Sequence, residues 1–193
     1  MKVDGTHYRS IWVNEVTNDV GIIDQRWLPS EFRIATLKTR DQFATAIRDM
    51  WVRGAPLIGA TAAYGVAMEM AADSSDQALD HVWHTLNETR PTAINLRWAL
   101  DRCRGHLAPL APDVRPEAAL QLAHEIAEED VETNRMLGVH GLALIRDISA
   151  SKPQGEPVRV LTHCNAGWLA TADCGTATTP IYHAAAAGIA HYV

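Results

Sequence analysis

The chain is short of several things. Its 193 residues include only three cysteines, Cys103, Cys164 and Cys174, an odd and sparse set with no C-x-x-C spacing. This excludes a disulfide framework and a cysteine-held metal or redox motif. Glycine and proline, 12 and 9 residues, are too few for a collagen-like or low-complexity segment. Basic residues, 17 against 23 acidic, form no stripe, and the net charge of −6 argues against nucleic-acid binding, which needs a basic face to neutralise phosphates. The longest uncharged apolar run, Pro56 to Met68, is followed directly by Glu69 and falls short of a membrane span. The opening MKVDGTHYRS lacks the basic and apolar regions of a secretory signal, which predicts a cytoplasmic protein. No metal centre is expected, since His124-Glu125 has no second histidine four residues on.

What is present reads as α/β. Tyr8–Val13, Val20–Asp24 and Phe32–Leu37 are β-prone runs forming a small N-terminal β-region. Phe43, Ile47 and Trp51 recur at helical spacing, predicting a helix from Thr39 to about Arg53. Further helices are expected from Ala55-Pro56, where proline suits the first turn, and over 75–86, 92–106 and 116–147, the last interrupted near Gly138 and Gly141. The Ser, Pro and Gly of 149–157 mark a linker. The expected division is therefore 1–150, a β/helical domain, and 151–193, the start of a Rossmann-like parallel α/β domain. In the latter, Val158–Thr162, Ala177–Ala187 and Ile189–Val193 form one β-α-β unit. Two parallel strands with one helix cannot cover both faces of a sheet. The expectation is thus the front part of a longer doubly wound protein, the alternative being a small domain completed by a partner chain.

Four segments could carry chemistry. Arg53-Gly54-Ala55-Pro56 sets a guanidinium beside a helix start, an anion site in outline that equally fits a tight helix-helix turn. Arg90 stands before a helix that Thr92 could cap; with Arg53 it could grip one phosphate, or it could serve as a surface ion-pair residue. Cys164, within Thr162-His163-Cys164-Asn165-Ala166-Gly167 at the end of a predicted strand, is either a nucleophile or acid/base group or a small buried thiol. Gly175-Thr176 fits a backbone phosphate site or a plain glycine turn. Cys103, Cys174, His124 and His140 read as structural. The carboxylates Glu125, Glu128, Glu129, Asp130 and Glu132 read as a solvated helix face.

Taken together, Gly21–Arg26, Val52–Gly59, Arg90–Asn95 and Leu161–Gly167 resemble the methylthioribose-1-phosphate isomerase family across essentially the whole chain. That group also includes ribose-1,5-bisphosphate isomerases and the regulatory subunits of a translation-initiation exchange factor. The resemblance implies interconversion of 5-methylthioribose 1-phosphate and 5-methylthioribulose 1-phosphate in methionine salvage. It implies no metal or organic cofactor and a homodimer. By motif, Arg53, Gly54, Ala55 and Arg90 would bind the phosphosugar and Cys164 would be the catalytic cysteine. The family's later Asp-Glu-Thr-Arg-Pro, Gly-Asp and Asn-Lys segments do not occur before Val193, and Cys174 stands where relatives commonly carry an aromatic. The chain alone is therefore expected not to turn over substrate. The competing expectation is a non-catalytic sugar-phosphate or nucleotide-binding regulatory module.

Overall fold

In the computed structural model, which describes residues 2–14 and 16–193, the chain opens with a two-stranded ribbon of β1 (Lys2–Val3) and β2 (Thr6–His7). A three-stranded antiparallel sheet follows, in the order β3 (Ile11–Val13), β4 (Val20–Ile23), β5 (Ile34–Leu37). Ile11 faces Ile22 in register, and Val20 faces both Val13 and Leu37. Every residue of β4 is buried, as expected of a central strand.

Five helices form the body. In α1 (Arg40–Arg48), the Thr39 hydroxyl accepts from the Gln42 amide while the Gln42 side chain returns to the Thr39 amide, a reciprocal cap. The helix stops earlier than its apolar spacing suggests, because Met50 takes a left-handed backbone (φ 57°) and Trp51 folds back to donate to the Ala46 carbonyl. The next helix, α2 (Ala55–Ala72), is apolar on all sides, and twelve of its residues are buried. A helix of that character has to lie at the centre, and it does. Around it stand α1, α3 (Asp76–Asn87), α4 (Ile94–Leu107) and α5 (Arg115–Ala150). The buried Arg115 closes the α4 end, donating to the carbonyls of Leu107, Ala108 and Leu110, and pairs with Asp76 at 2.6 Å.

The expected interruption of the last long helix does not occur: α5 runs unbroken for 36 residues. Its glycines serve contact. A Cβ on Gly138 would lie 2.6 Å from the Thr179 methyl, and one on Gly141 would lie 2.4 Å from Pro180 Cγ. Thr179 and Pro180 open α6 (Thr179–Ala186), so the two glycines form the groove in which α6 rests on α5. The helix α6 connects β6 (Val158–Arg159) to β7 (His191–Tyr192), which pair in parallel with Val158 opposite His191. The β-α-β unit is present, with strands shorter than their apolar runs. Among the described residues, no helix is long and apolar enough to cross a membrane.

Two hydrophobic clusters hold the fold. The larger joins the three-stranded sheet to α1–α5 and also takes in Ala172; the smaller joins Ile145 of α5 to Val158 and Ala184.

Paired glycine substitutions test the α5–α6 groove. Gly141→Ala should destabilise the fold by about 1–3 kcal/mol through overpacking against Pro180. Gly105→Ala, in α4 with nothing within 4 Å of the added carbon, should stabilise it by about 0.5–1 kcal/mol. Urea denaturation of the two variants reads both; equal effects would show that α6 does not rest on Gly141.

Candidate functional site

The start of α2 is the focus of the site. Gly54 precedes it with φ 105°, in the region that disfavours any side chain, and a Cβ there would lie 2.4 Å from the Ala170 Cα. Glycine is therefore required twice, for the turn and for the approach of a second backbone. Gly54 offers no capping side chain, and Pro56 has no N–H. The Ile58 amide donates to the Gly54 carbonyl, so Ala55 and Leu57 carry the helix's unpaired first-turn amides. Arg53 is exposed, and its Nε–H donates to the Gln25 Oε1 at 3.4 Å. It does not cap the preceding helix, which ends at Arg48.

A second arginine segment comes alongside through α4. The Ala93 amide donates to the Arg90 carbonyl at 2.9 Å, closing the turn before the helix. The N-cap is Ala93 and makes no side-chain bond, so Thr92 is not the cap expected of it. A Cβ on Gly59 of α2 would stand 3.1 Å from the Asn95 carbonyl, which sets the start of α4 one turn along from Arg53-Gly54-Ala55. Arg90 is half-buried. Among the described residues, no hydrogen bond or ion pair takes up its guanidinium.

The third segment is the long connection between β6 and α6. Because β6 ends at Arg159, Cys164 lies in the loop beyond the strand and not at its end. Cys164 has φ 72° and is exposed, as are His163 and Asn165. The chain then turns inward. Trp168–Ala170 form a single 3-10 turn and Thr171–Asp173 are buried. Hydrogen bonds with Ser10, Gln25 and Asp130 bind this stretch to the rest of the molecule. The Ser10 amide donates to the Ala172 carbonyl at 2.9 Å, and the Ser10 hydroxyl to the Trp168 carbonyl at 3.1 Å. The Gln25 Nε2 donates to the Leu169 carbonyl at 2.7 Å, and the Ala172 amide to Asp130 Oδ2 at 2.7 Å.

Asp130 is the residue that sequence reasoning missed. Read as one of a solvated row of carboxylates, it is half-buried. Burial pushes its carboxyl up, opposed by the bonds from Ala172 and Asn134. Its neighbours do face outward, Glu128 paired with Arg9 and Glu129 with Arg102. Asp173 is likewise engaged inside, 2.9 Å from His7 Nε2 and accepting from the Cys174 amide at 2.8 Å. Gly175-Thr176 resolves as a turn: the Gly175 amide donates to the Thr171 hydroxyl at 3.0 Å, and the Thr176 amide to the Ala166 carbonyl at 3.0 Å.

Two cavities flank the focus. One, of about 450 Å³, is apolar and aromatic, with Leu28, Pro29, Phe32, Trp168, Leu169 and Tyr182 in its wall beside Asn165 and Gly167 of the cysteine loop. The Trp168 Nε1–H is buried and has no partner among the described residues. The other, of about 380 Å³, lies between Pro56, Asn95, Asp130, Asn134 and Thr176. Neither wall contains Arg53, Arg90 or Cys164. The structure thus brings the three segments together through backbone packing around the α2 start, and leaves Arg53 and Cys164 exposed and Arg90 half-buried.

The thiols differ in a way that chemistry can read. Burial pushes Cys103 up to about 12, and burial together with Asp173 raises Cys174. Cys164 is the exposed one. Limiting iodoacetamide should therefore alkylate Cys164 first, as read by peptide mass. Earlier labelling of Cys174 or Cys103 would contradict the assignment.

Known proteins match the chain along its whole length. Methylthioribose-1-phosphate isomerase of Sinorhizobium medicae is 64% identical over all 193 residues, which cover 53% of that protein. The protein of the same name from Escherichia coli is 52% identical, again over the whole chain and 52% of the relative. The chain thus spans about half the length of the curated relatives it matches. Among solved structures, 5-methylthioribose 1-phosphate isomerase from Pyrococcus horikoshii superposes with a TM-score of 0.80 at 34% identity, over 94% of this chain and 50% of that one. The translation initiation factor eIF-2B delta subunit from A. fulgidus gives 0.79 at 34% identity, over 95% and 52%. The pattern of the Initiation factor 2 subunit family matches residues 51–193, from the arginine turn through the cysteine loop to the last strand, and the chain belongs to that family.

Proposed function

We propose that this chain forms the phosphosugar-binding part of an aldose-ketose isomerase that converts 5-methylthioribose 1-phosphate to 5-methylthioribulose 1-phosphate in methionine salvage. The observation that carries the reading is the seating of Gly54 against Ala170, which holds the arginine turn and the Cys164 loop together. In this reading the phosphate sits at the α2 start, on Arg53 and the Ala55 amide, with Gly54 shaping the turn that presents them and Arg90 adding a second cation. Arginine suits the task because its planar fork meets two phosphate oxygens at once. The methylthio end goes into the aromatic cavity of Phe32, Trp168 and Tyr182, which offers apolar surface and no charge.

The reaction opens a C1-phosphorylated ring and moves hydrogen between C2 and C1, so it needs acid/base groups placed at those carbons. Cys164, exposed on its loop beside the cavity wall, is the group we assign to that work. Asp173 is not available for it, being held inward by His7 and the Cys174 amide. The reading extends to a cytoplasmic homodimer whose partner is the small phosphosugar, with neither nucleic acid nor membrane involved, consistent with a net charge of −6 and no basic stripe.

A second reading, a non-catalytic regulatory module that binds nucleotide, draws on the likeness to the eIF-2B delta subunit. A thermal-shift screen separates the two. At a hundredfold excess over Kd, 5-methylthioribose 1-phosphate should raise Tm by about 5–10 °C. Arg53→Ala should remove most of that shift. Stabilisation by nucleoside monophosphates, with none from the phosphosugar, would favour the regulatory reading instead.

A further inference from the structure

We propose that Gln25 is the positioning residue for Arg53: an uncharged clamp that aims the guanidinium outward and ties it to the Cys164 loop. The proposal rests on the reading of Arg53 as the phosphate ligand. Gln25 follows β4 and is 3% exposed. Its backbone N–H and both ends of its side-chain amide reach site segments. Its backbone N–H donates to the Trp51 carbonyl at 2.9 Å, its Nε2 donates to the Leu169 carbonyl at 2.7 Å, and its Oε1 accepts from Arg53 Nε at 3.4 Å. The partners fix which way the amide faces, because a carbonyl can only accept and a guanidinium can only donate.

Two chemical consequences follow. With Nε–H turned toward Gln25, the two terminal nitrogens of Arg53 are left as the edge that meets a ligand. An amide also orients the arginine without neutralising it, whereas a carboxylate at this position would compete with the phosphate for its charge. The adjacent carboxylate is kept out of that competition. Asp24 is buried, which works to raise its carboxyl, but the Arg26 side chain and amide overturn this and hold it below the ordinary range. Arg26 binds both oxygens, at 2.9 and 2.6 Å, and lies 4.1 Å over the Trp51 ring. The run Asp24-Gln25-Arg26 thus matches its own charges and presents only the neutral amide to Arg53.

The test is a double-mutant cycle on the 193-residue chain, with 5-methylthioribose 1-phosphate as the titrant in calorimetry and the Arg53 Nε–H signal followed by NMR on arginine-labelled protein. Gln25→Met should move that signal to the position of a solvent-exposed arginine and weaken the ligand about tenfold, yet cause no further loss in an Arg53→Ala background. Gln25→Glu should keep the Nε–H bonded and still weaken the ligand, since its carboxylate cancels the charge. Equal losses from Gln25→Met in both backgrounds would show a role confined to holding the loop and would overturn the proposal. An Nε–H signal unmoved by Gln25→Met overturns it alone, without touching the function. An Arg53→Ala chain that binds the phosphosugar as tightly as its parent overturns the phosphate reading, and this proposal with it.

Discussion

The site depends on one buried stretch of backbone, residues 168–173, pinned between the N-terminal sheet and the helices. The carbonyls of Trp168, Leu169 and Ala172 and the Ala172 amide are taken up by Ser10, Gln25 and Asp130, which stand just before β3, just after β4 and in the middle of α5. Each such bond contributes only about 1 kcal/mol net, but each group left unpaired in the interior would cost roughly 1–3 kcal/mol. The stretch therefore has one position in which its polar groups are met. In that position Ala170 lies against Gly54, and the loop that carries Cys164 is brought up to the first turn of α2.

This explains why segments far apart in the chain act as one unit. The central helix α2 is buried without a break from Leu57 to Ala67 and packs against both α4 and α5, which fixes its place between them. The small sheet has a purpose beyond packing. Ser10 and Gln25 emerge from it as the two hands that hold the cysteine loop, and Gln25 reaches Arg53 with the same side chain. The arginine turn, the Cys164 loop and the apolar cavity are in this sense positioned by the N-terminal thirty residues.

Much of the architecture was legible because it follows from local rules. Pro56 in a first turn announces the start of α2, and the spacing of Phe43 and Ile47 after Thr39 announces α1; both helices are there in the structure. The arginine and cysteine motifs were legible as candidates, since guanidinium beside a helix start and thiol in a loop after a strand are chemical types with few purposes. What was not legible was tertiary. Gly138 and Gly141 look like breaks from within α5, and only the arrival of Thr179 and Pro180 shows them to be a contact surface. Asp130 has the same sequence surroundings as Glu128 and Glu129, and nothing local says that it alone meets the Ala172 amide. Ala93 replaces Thr92 as the cap because the turn closed by the Arg90 carbonyl fixes where α4 can begin. Gln25 belonged to a quoted motif, but its meaning lies in partners 26 to 144 positions away.

In the proposed function one ligand spans the α2 start and the aromatic cavity, its charged end on the first and its apolar end in the second. A crystal structure of the chain with 5-methylthioribose 1-phosphate is the decisive test. Phosphate oxygens are expected about 3 Å from the Arg53 terminal nitrogens and the Ala55 amide, with the methylthio group between Trp168 and Tyr182. A phosphate bound away from Arg53, or a ligand seated in the separate cleft of His106, Glu117 and His124 between α4 and α5, would contradict it.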